Sequence, residues 1–371
     1  MSTKRRILLS LMTEENDFQL EQAASARRAA EGLHLDLQIL FAGNDTITQS
    51  TQILRAIQGD PALRPDAVIF EPVGGTALPQ VARAASGAGI GWGVLINVPD
   101  YLTELRRTAK APVFAVGTDQ EEIGRIQAKQ FSLLLPRGGN TLYIQGPSEH
   151  FAAKQRTLGL QSALPPNIRI SGLRGNWTEE GAARSVASWL KLTAANKIRV
   201  DLVAAQNDLM ALAARKVLQG VSDLRDRDRW MTVPFAGVDG LPKTGQAWVR
   251  DRLLTATVVM PPCAGHAVGL MMDALTKQKP VQEKNWLPPQ SFPALDELHP
   301  SEALLDLRNL RSGGNRTALG KSEVERVNVR AAAIHGRVDR AVRRNSGEMA
   351  LRRHRTEIVL EPDHLLRQRS P

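Results

Sequence analysis

A single cysteine stands in the 371 residues. Cys263 on its own excludes an internal disulfide and a cysteine-built zinc site, and it fits a cytoplasmic protein. Long apolar runs are missing too. None approaches the roughly 20 residues needed to span a bilayer, so no membrane insertion is expected. At the start, basic residues precede Ile7 to Met12, but that run is only six residues long and has no small-residue cleavage site after it. It reads as a first strand and not as a secretory signal, which places the protein in the cytoplasm if the start is correct. Nucleophile elbow, P-loop and HExxH are all absent. The glycines of Gly87-Ala88-Gly89-Ile90-Gly91 precede a strand, whereas a dinucleotide fingerprint opens a helix. Cys263 and His266 lie one helical turn apart but lack an orienting third group and an oxyanion site, so they read as ordinary helix residues. No catalyst, no metal and no cofactor is expected.

Positive charge is plentiful overall, at +10, but scarce in the body of the chain. From Arg311 to Pro371 there are 14 Lys and Arg against 7 Asp and Glu, leaving the first 310 residues only +3. A body so near neutrality carries no electrostatic footprint for nucleic acid, which leaves the tail as the only place for it. Arg311 to Arg316 reads as a linker, and residues 311–371 contain no Phe, Tyr or Trp. Such a tail is expected to be disordered, because it cannot bury enough surface to offset its ordering entropy. Glu323 to Arg344 is the one stretch there with a transient basic helix in prospect.

What the remaining 310 residues do contain is an alternation. Val203-Ala204-Ala205 is a short apolar strand that stops at Gln206-Asn207-Asp208. A 3.6-residue period then begins, with Leu209, Leu212, Ala213 and Val217 on one face and Gly220 at its end. The layout recurs at Val116-Gly117-Thr118-Asp119 and at Ala236-Gly237-Val238-Asp239-Gly240. About ten strand–helix units follow one another, and the cycle restarts near residue 117. The fold class is therefore α/β: two Rossmann-like lobes, each a parallel sheet with helices on both faces. Ligands of such sheets bind outside the carboxyl ends of the strands, where these Asp and Asn residues fall.

Three of these segments carry a family resemblance. Asn16-Asp17-Phe18 after the first strand, Gln206-Asn207-Asp208-Leu209-Met210-Ala211, and Gly237-Val238-Asp239-Gly240 resemble the type I periplasmic binding proteins of the ribose-binding kind. The same fold forms the effector domain of lac-repressor-like regulators, which is the alternative function. The resemblance covers residues 5 to 310. It implies three hinge crossings near Gly117–Asp119, Met260–Pro262 and Gln282–Asn285. Lobe one would be 5–117 plus 261–282, and lobe two 118–260 plus 283–310. It also implies a periplasmic location, a sugar-like small-molecule ligand in the cleft, and an ABC permease or a sensor protein as partner.

By that resemblance, Phe18 and Trp177 would sandwich a sugar ring, with Asn207 and Asp239 supplying polar contacts from lobe two and Asn16 and Asn97 from lobe one. Asp119 sits at a hinge, where capping a helix is its other use. Three positions depart from the family. Glu71 replaces an Asn, Met260 replaces a Gln, and Lys154 replaces an Arg unless the register slips by two to Arg156. Lysine does not reproduce the planar fork of arginine. These departures point away from ribose and toward another sugar or polyol, including one whose amino group could pair with Glu71.

Overall fold

The computed structural model describes residues 4–74, 77–193, 199–277 and 279–300. The tail expected to be disordered, residues 311–371, and the end of lobe two after residue 300 lie outside the described residues.

The chain first lays down β1 (Arg6–Leu11), α1 (Asp17–Gly32), β2 (Asp36–Phe41), α2 (Thr46–Gln58), β3 (Ala67–Phe70), α3 (Pro79–Gly87), β4 (Gly91–Leu95), α4 (Leu102–Thr108) and β5 (Val113–Gly117). A second series follows: α5 (Gln120–Leu134), β6 (Gly139–Gln145), α6 (Phe151–Ala163), β7 (Ile168–Arg174), α7 (Glu179–Thr193), β8 (Leu202–Ala205), α8 (Asp208–Gln219), α9 (Leu224–Thr232), β9 (Phe235–Asp239), α10 (Gly245–Arg250) and β10 (Ala256–Val259). It closes with α11 (Ala264–Thr276), β11 (Lys284–Trp286) and β12 (Gln290–Phe292). The short helices α4, α9 and α10 carry too few turns for a clear period and were not expected.

These strands form two six-stranded sheets of matching order, β2-β1-β3-β4-β5-β11 and β7-β6-β8-β9-β10-β12. Strands β3, β4, β5 and β8 are buried along their whole length, as their unbroken apolar composition requires of a sheet covered on both faces. Two details differ from expectation. The edge strand β12 runs antiparallel to β10, so the second sheet is not wholly parallel. Lys284 to Trp286 pair with Ala115 to Gly117 in the first sheet. The third passage between sheets therefore falls at 287–289 and not at Gln282–Asn285. A three-residue strand flanked by charge gives no periodic signal, and Pro288-Pro289 marks the break instead.

Helix starts explain how the strand ends are held. Asn16 caps α1 by accepting from the Phe18 and Gln19 amides, at 2.8 and 3.4 Å. Asn207 caps α8 by accepting from the Met210 amide at 2.8 Å. Asp119 caps α5 through the Glu121 and Glu122 amides at 2.9 and 3.0 Å. Each cap fixes the turn that leads out of a strand.

Candidate functional site

The carboxyl ends of the two sheets meet in one apolar layer. Phe18 and Ile96 from the first lobe share a buried cluster with Ala152, Leu241 and Met260 from the second, and Trp177 packs against it. Two cavities border this layer. One has Asn16 and Phe18 on one wall and Asp208, Asp239 and Trp248 on the other. The second lies between Glu71 and Asn97 of lobe one and His150 and Phe151 of lobe two.

Arg156 is the cation of this region. It is only 3% exposed. Its Nε donates to Gln120 Oε1 at 2.9 Å, one terminal nitrogen donates to the Gln206 carbonyl, and the other lies 3.3 Å from Met260 Sδ. Its guanidinium sits over the Trp177 ring, 5.4 Å from the centroid. Lys154, by contrast, is exposed. Of the two positions the sequence leaves open, Lys154 lies in solvent and Arg156, two residues on, turns inward. Successive helical residues turn by about 100°, so two positions along reach the opposite face. Ala152, Ala153, Gly159 and Leu160 are buried with Arg156 and define the inward stripe. Met260 Sδ faces both Arg156 and, at 3.6 Å, Gln120 Nε2, so the thioether takes the position of a polar acceptor.

The other expected residues divide into two groups. Asn16, Phe18 and Asp239 line the first cavity, and Glu71 and Asn97 the second. Asn207 is buried, and its amide nitrogen donates to the Trp177 carbonyl at 3.2 Å. Trp177 is half-buried, with its ring edge-on to His150 at 5.5 Å. A Cβ at Gly146 would overlap that ring, so a side-chain-free residue lets Trp177 lie against the turn after β6. Asp119 lines neither cavity. Its carboxylate is 48% exposed, caps α5 and pairs with Arg125 at 3.3 Å. Cys263 and His266 do not converge: the thiol is buried beside Gln22, with its pKa pushed up to about 12 by burial, while His266 is exposed.

Charge is unevenly distributed. Burial raises Glu71 to about 7, opposed by the Gln19 and Gln22 amides and by Arg156. Burial raises Asp239 to about 7 as well, with Arg156 pulling down and Glu71 and Asp17 pushing up. Asp208 stands well above the ordinary carboxylate range, first from burial and then from the Asp239 charge. It accepts from the Thr257 hydroxyl at 2.6 Å and from the Gly240 amide at 2.8 Å. His150 is pushed down to about 4 by burial and by Arg156, so it is neutral at pH 7. Glu71 Oε2, both ring nitrogens of His150 and Trp177 Nε1 are buried with no hydrogen-bond partner among the described residues. Neither Asp208, His150 nor the glutamines Gln19, Gln22, Gln120 and Gln206 were singled out from sequence as site residues. Asp208 carried the one available signal, as neighbour of Asn207 in the strand-end motif.

Backbone conformation marks the same place. Ile96, Trp177 and Asp239 all have positive φ, at 64°, 66° and 106°. A β-branched residue there is a genuine outlier, and such conformations cost on the order of 1–3 kcal/mol each. All three follow or end a strand at the interlobe face. Among the described residues, no group of three or more His, Cys, Asp or Glu is placed to hold a metal ion.

Paired α/β lobes of equal strand order, with polar side chains gathered where their strands' carboxyl ends meet, define the class of two-lobed ligand-binding proteins. The chain belongs to the periplasmic binding protein domain family, which it matches over residues 7–279. It is 26% identical over 262 residues to a protein of Rhizobium meliloti provisionally named a rhizopine-binding protein, covering 68% of this chain and 78% of that one. It is 28% identical over 289 residues to the D-ribose/D-allose-binding protein of Pseudomonas aeruginosa, covering 76% and 86%. Among solved structures it is similar to a periplasmic solute-binding protein of an ABC transporter from Actinobacillus succinogenes with bound D-allose. There the TM-score is 0.66 at 21% identity, with 78% of this chain and 97% of that chain covered. No helix among the described residues is long and apolar enough to cross a membrane.

Proposed function

We propose that this protein captures a small polyhydroxylated ligand, a sugar or a polyol, between its lobes, and that it serves uptake or sensing by closing about that ligand. The observation that carries this is Arg156. A guanidinium has five N–H donors, and three are directed at Gln120, Gln206 and Met260. Its charge reaches Asp239 and Asp208, which line one cavity with Asn16 and Phe18, and Glu71, which lines the other with Asn97, and its guanidinium lies over the Trp177 ring. Hydroxyls take up such a mixture of donors and acceptors, while the ring faces of a sugar suit the aromatic pair. Family membership and the names of the two relatives support the same ligand class. The location that goes with this role is the periplasm, and the partner is an ABC permease or a sensor protein. Movement about the passages at 118–119, 260–263 and 287–289 provides opening and closing, and the ligand favours the closed form by its differential affinity.

Thermal melts against D-ribose, D-allose, other aldoses, inositols and their derivatives test this. A ligand at a hundred times its Kd adds about 2.7 kcal/mol to stability and raises Tm accordingly. Calorimetry should then give one site per chain. Absence of both a melting shift and binding heat across the panel would remove the proposal.

A further inference from the structure

Two of the three passages between the lobes carry adjacent prolines, Pro261-Pro262 in the second and Pro288-Pro289 in the third. Both passages are held at each end. On the lobe-two side of the second, the Met260 amide donates to the Asp239 carbonyl at 3.0 Å. On the lobe-one side, α11 starts without a side-chain cap of its own. Helix α1 supplies the cap instead: the Ala264 amide donates to Gln22 Oε1 at 2.8 Å and the Gly265 amide to Ser25 Oγ at 3.1 Å. Gln22 Nε2 also points at Cys263 Sγ, 3.4 Å away, and both side chains are wholly buried. A Cβ at Gly265 would run into the Ser25 backbone, so the two helices approach this closely only because that residue has no side chain. In the third passage the Leu287 amide donates to the Gly117 carbonyl of lobe one at 2.8 Å, and Gln290 pairs with Val259 of lobe two. Val259 and Met260 are neighbours, so both passages leave lobe two from the same place.

Proline fixes φ near −65° and holds the residue before it extended. Met260, Pro261, Leu287 and Pro288 each precede a proline. With all four extended, each passage is a short stiff rod, rising ~3.1 Å per residue in the polyproline form. Proline has no N–H, so a rod of this kind strands no donor when the lobes move. The first passage, Thr118-Asp119, contains no proline.

We infer that Pro261-Pro262 and Pro288-Pro289 are paired struts that limit how far the lobes part, and that Gln22 is the positioning residue that anchors the first strut to lobe one. Opening then turns at Thr118-Asp119 and at the ψ torsions of Pro262 and Pro289, which no following proline restricts. Helix α1 also carries Asn16 and Phe18 to the first cavity, so one rigid element joins the cavity wall to the anchor of the strut. This rests on the proposed closure of the lobes about a ligand, yet it is read in the ligand-free protein.

The test is small-angle scattering on the full chain without ligand. Pro261→Gly combined with Pro288→Gly should give a larger radius of gyration than wild type, and the corresponding alanine pair a smaller increase in the same direction. Pro61→Gly, in an exposed turn after α2, controls for the looser unfolded chain and should leave the radius unchanged. Gln22→Leu keeps the volume and removes the cap; its radius should also rise, at a temperature well below its melting point. The single thiol gives an independent reading. Ellman's reagent should label Cys263 at least tenfold faster in Gln22→Leu than in wild type. A lower Tm for Gln22→Leu with radius and labelling rate unchanged would make Gln22 merely structural and overturn its role. Equal radii for wild type and the glycine pair would overturn the struts, while sugar capture stands or falls separately on the melting panel. If the glycine pair does not fold, the alanine pair decides by the same comparison.

Discussion

Removing the Arg156 guanidinium is the most informative single perturbation, because stability and binding both converge on it. Arg156→Met keeps much of the volume and deletes the charge. Gln120 Oε1 and the Gln206 carbonyl then lose their buried donors, at about 1–3 kcal/mol each. The carboxyls also lose the cation that lowers Asp239 and Glu71, although protonation absorbs part of that loss. Together this comes to about 3–5 kcal/mol, the range found on breaking a buried charged cluster. At about 2–4 °C per kcal/mol, Tm should fall by on the order of 10 °C. Binding should suffer as well. One charged hydrogen bond to a ligand hydroxyl or ring oxygen, at about 1.5 kcal/mol or more, amounts to a tenfold or greater loss in Kd. Arg156→Lys separates the two effects, since it restores charge without the fork. Its Tm should lie within a few degrees of wild type, while its affinity stays depressed by about tenfold or more. Circular-dichroism melts and calorimetry with the best ligand of the panel measure both. Wild-type affinity in Arg156→Lys, or an unchanged melting point in Arg156→Met, would refute the central role assigned to this side chain.

Three further outcomes follow from the same structure. Glu71, with its folded pKa raised to about 7, is destabilising once ionised: its contribution is fully favourable below the unfolded carboxylate pKa and is lost as pH rises from about 4.5 to 7. Glu71→Gln should therefore stabilise the ligand-free protein by about 3 kcal/mol at pH 8, and the gain should vanish near pH 4, as read in denaturant midpoints. His150 works in the opposite sense, since its depressed pKa adds stability at neutral pH that is lost as pH falls from about 6.5 toward 4; His150→Phe should flatten that limb of the profile. Asp119→Ala should cost about 1 kcal/mol as a lost helix cap, and Lys154→Ala nothing measurable, both with ligand affinity within twofold of wild type by calorimetry.

Part of the candidate site is legible in the sequence because strand ends advertise themselves. Asn207 and Asp239 close apolar strands at the point where a helix or turn must start, Asn16 opens the helix after the first strand, and in an open α/β sheet these points are also the ligand edge. What failed was phase. Lys154 and Arg156 differ by two residues on one helix, and only the small and apolar positions Ala152, Ala153, Gly159 and Leu160 tell which of them turns inward. Asp119 shows the role the sequence offers as its alternative, since it caps α5 and pairs with Arg125 with its carboxylate half exposed. His150 had no signal at all. One histidine ahead of a helix is common, and its importance arises from Glu71, which is 79 positions earlier in the chain and meets it only across the cleft.

The groups that sequence could not reveal bear on how closure would be controlled. With the lobes joined through one apolar layer, Glu71 Oε2, the two nitrogens of His150 and Trp177 Nε1 have no protein partner among the described residues. A buried polar atom left unsatisfied costs about 1–3 kcal/mol, so these four together disfavour closure by at least about 4 kcal/mol. Separating the lobes would return them to water and relieve most of that cost. A ligand that bonds all four would act only on the closed form. Moving an equilibrium from 1:99 to 99:1 takes about 5.5 kcal/mol of differential affinity, which is close to what four satisfied atoms supply. On this view the unpaired atoms are what make closure depend on the ligand. A variant that lacks most of them should close without it. His150→Phe with Glu71→Leu removes three of the four: small-angle scattering should find it compact in the absence of any sugar, whereas wild type should contract only when ligand is added. Equal radii of gyration for wild type with and without a bound ligand would contradict the argument.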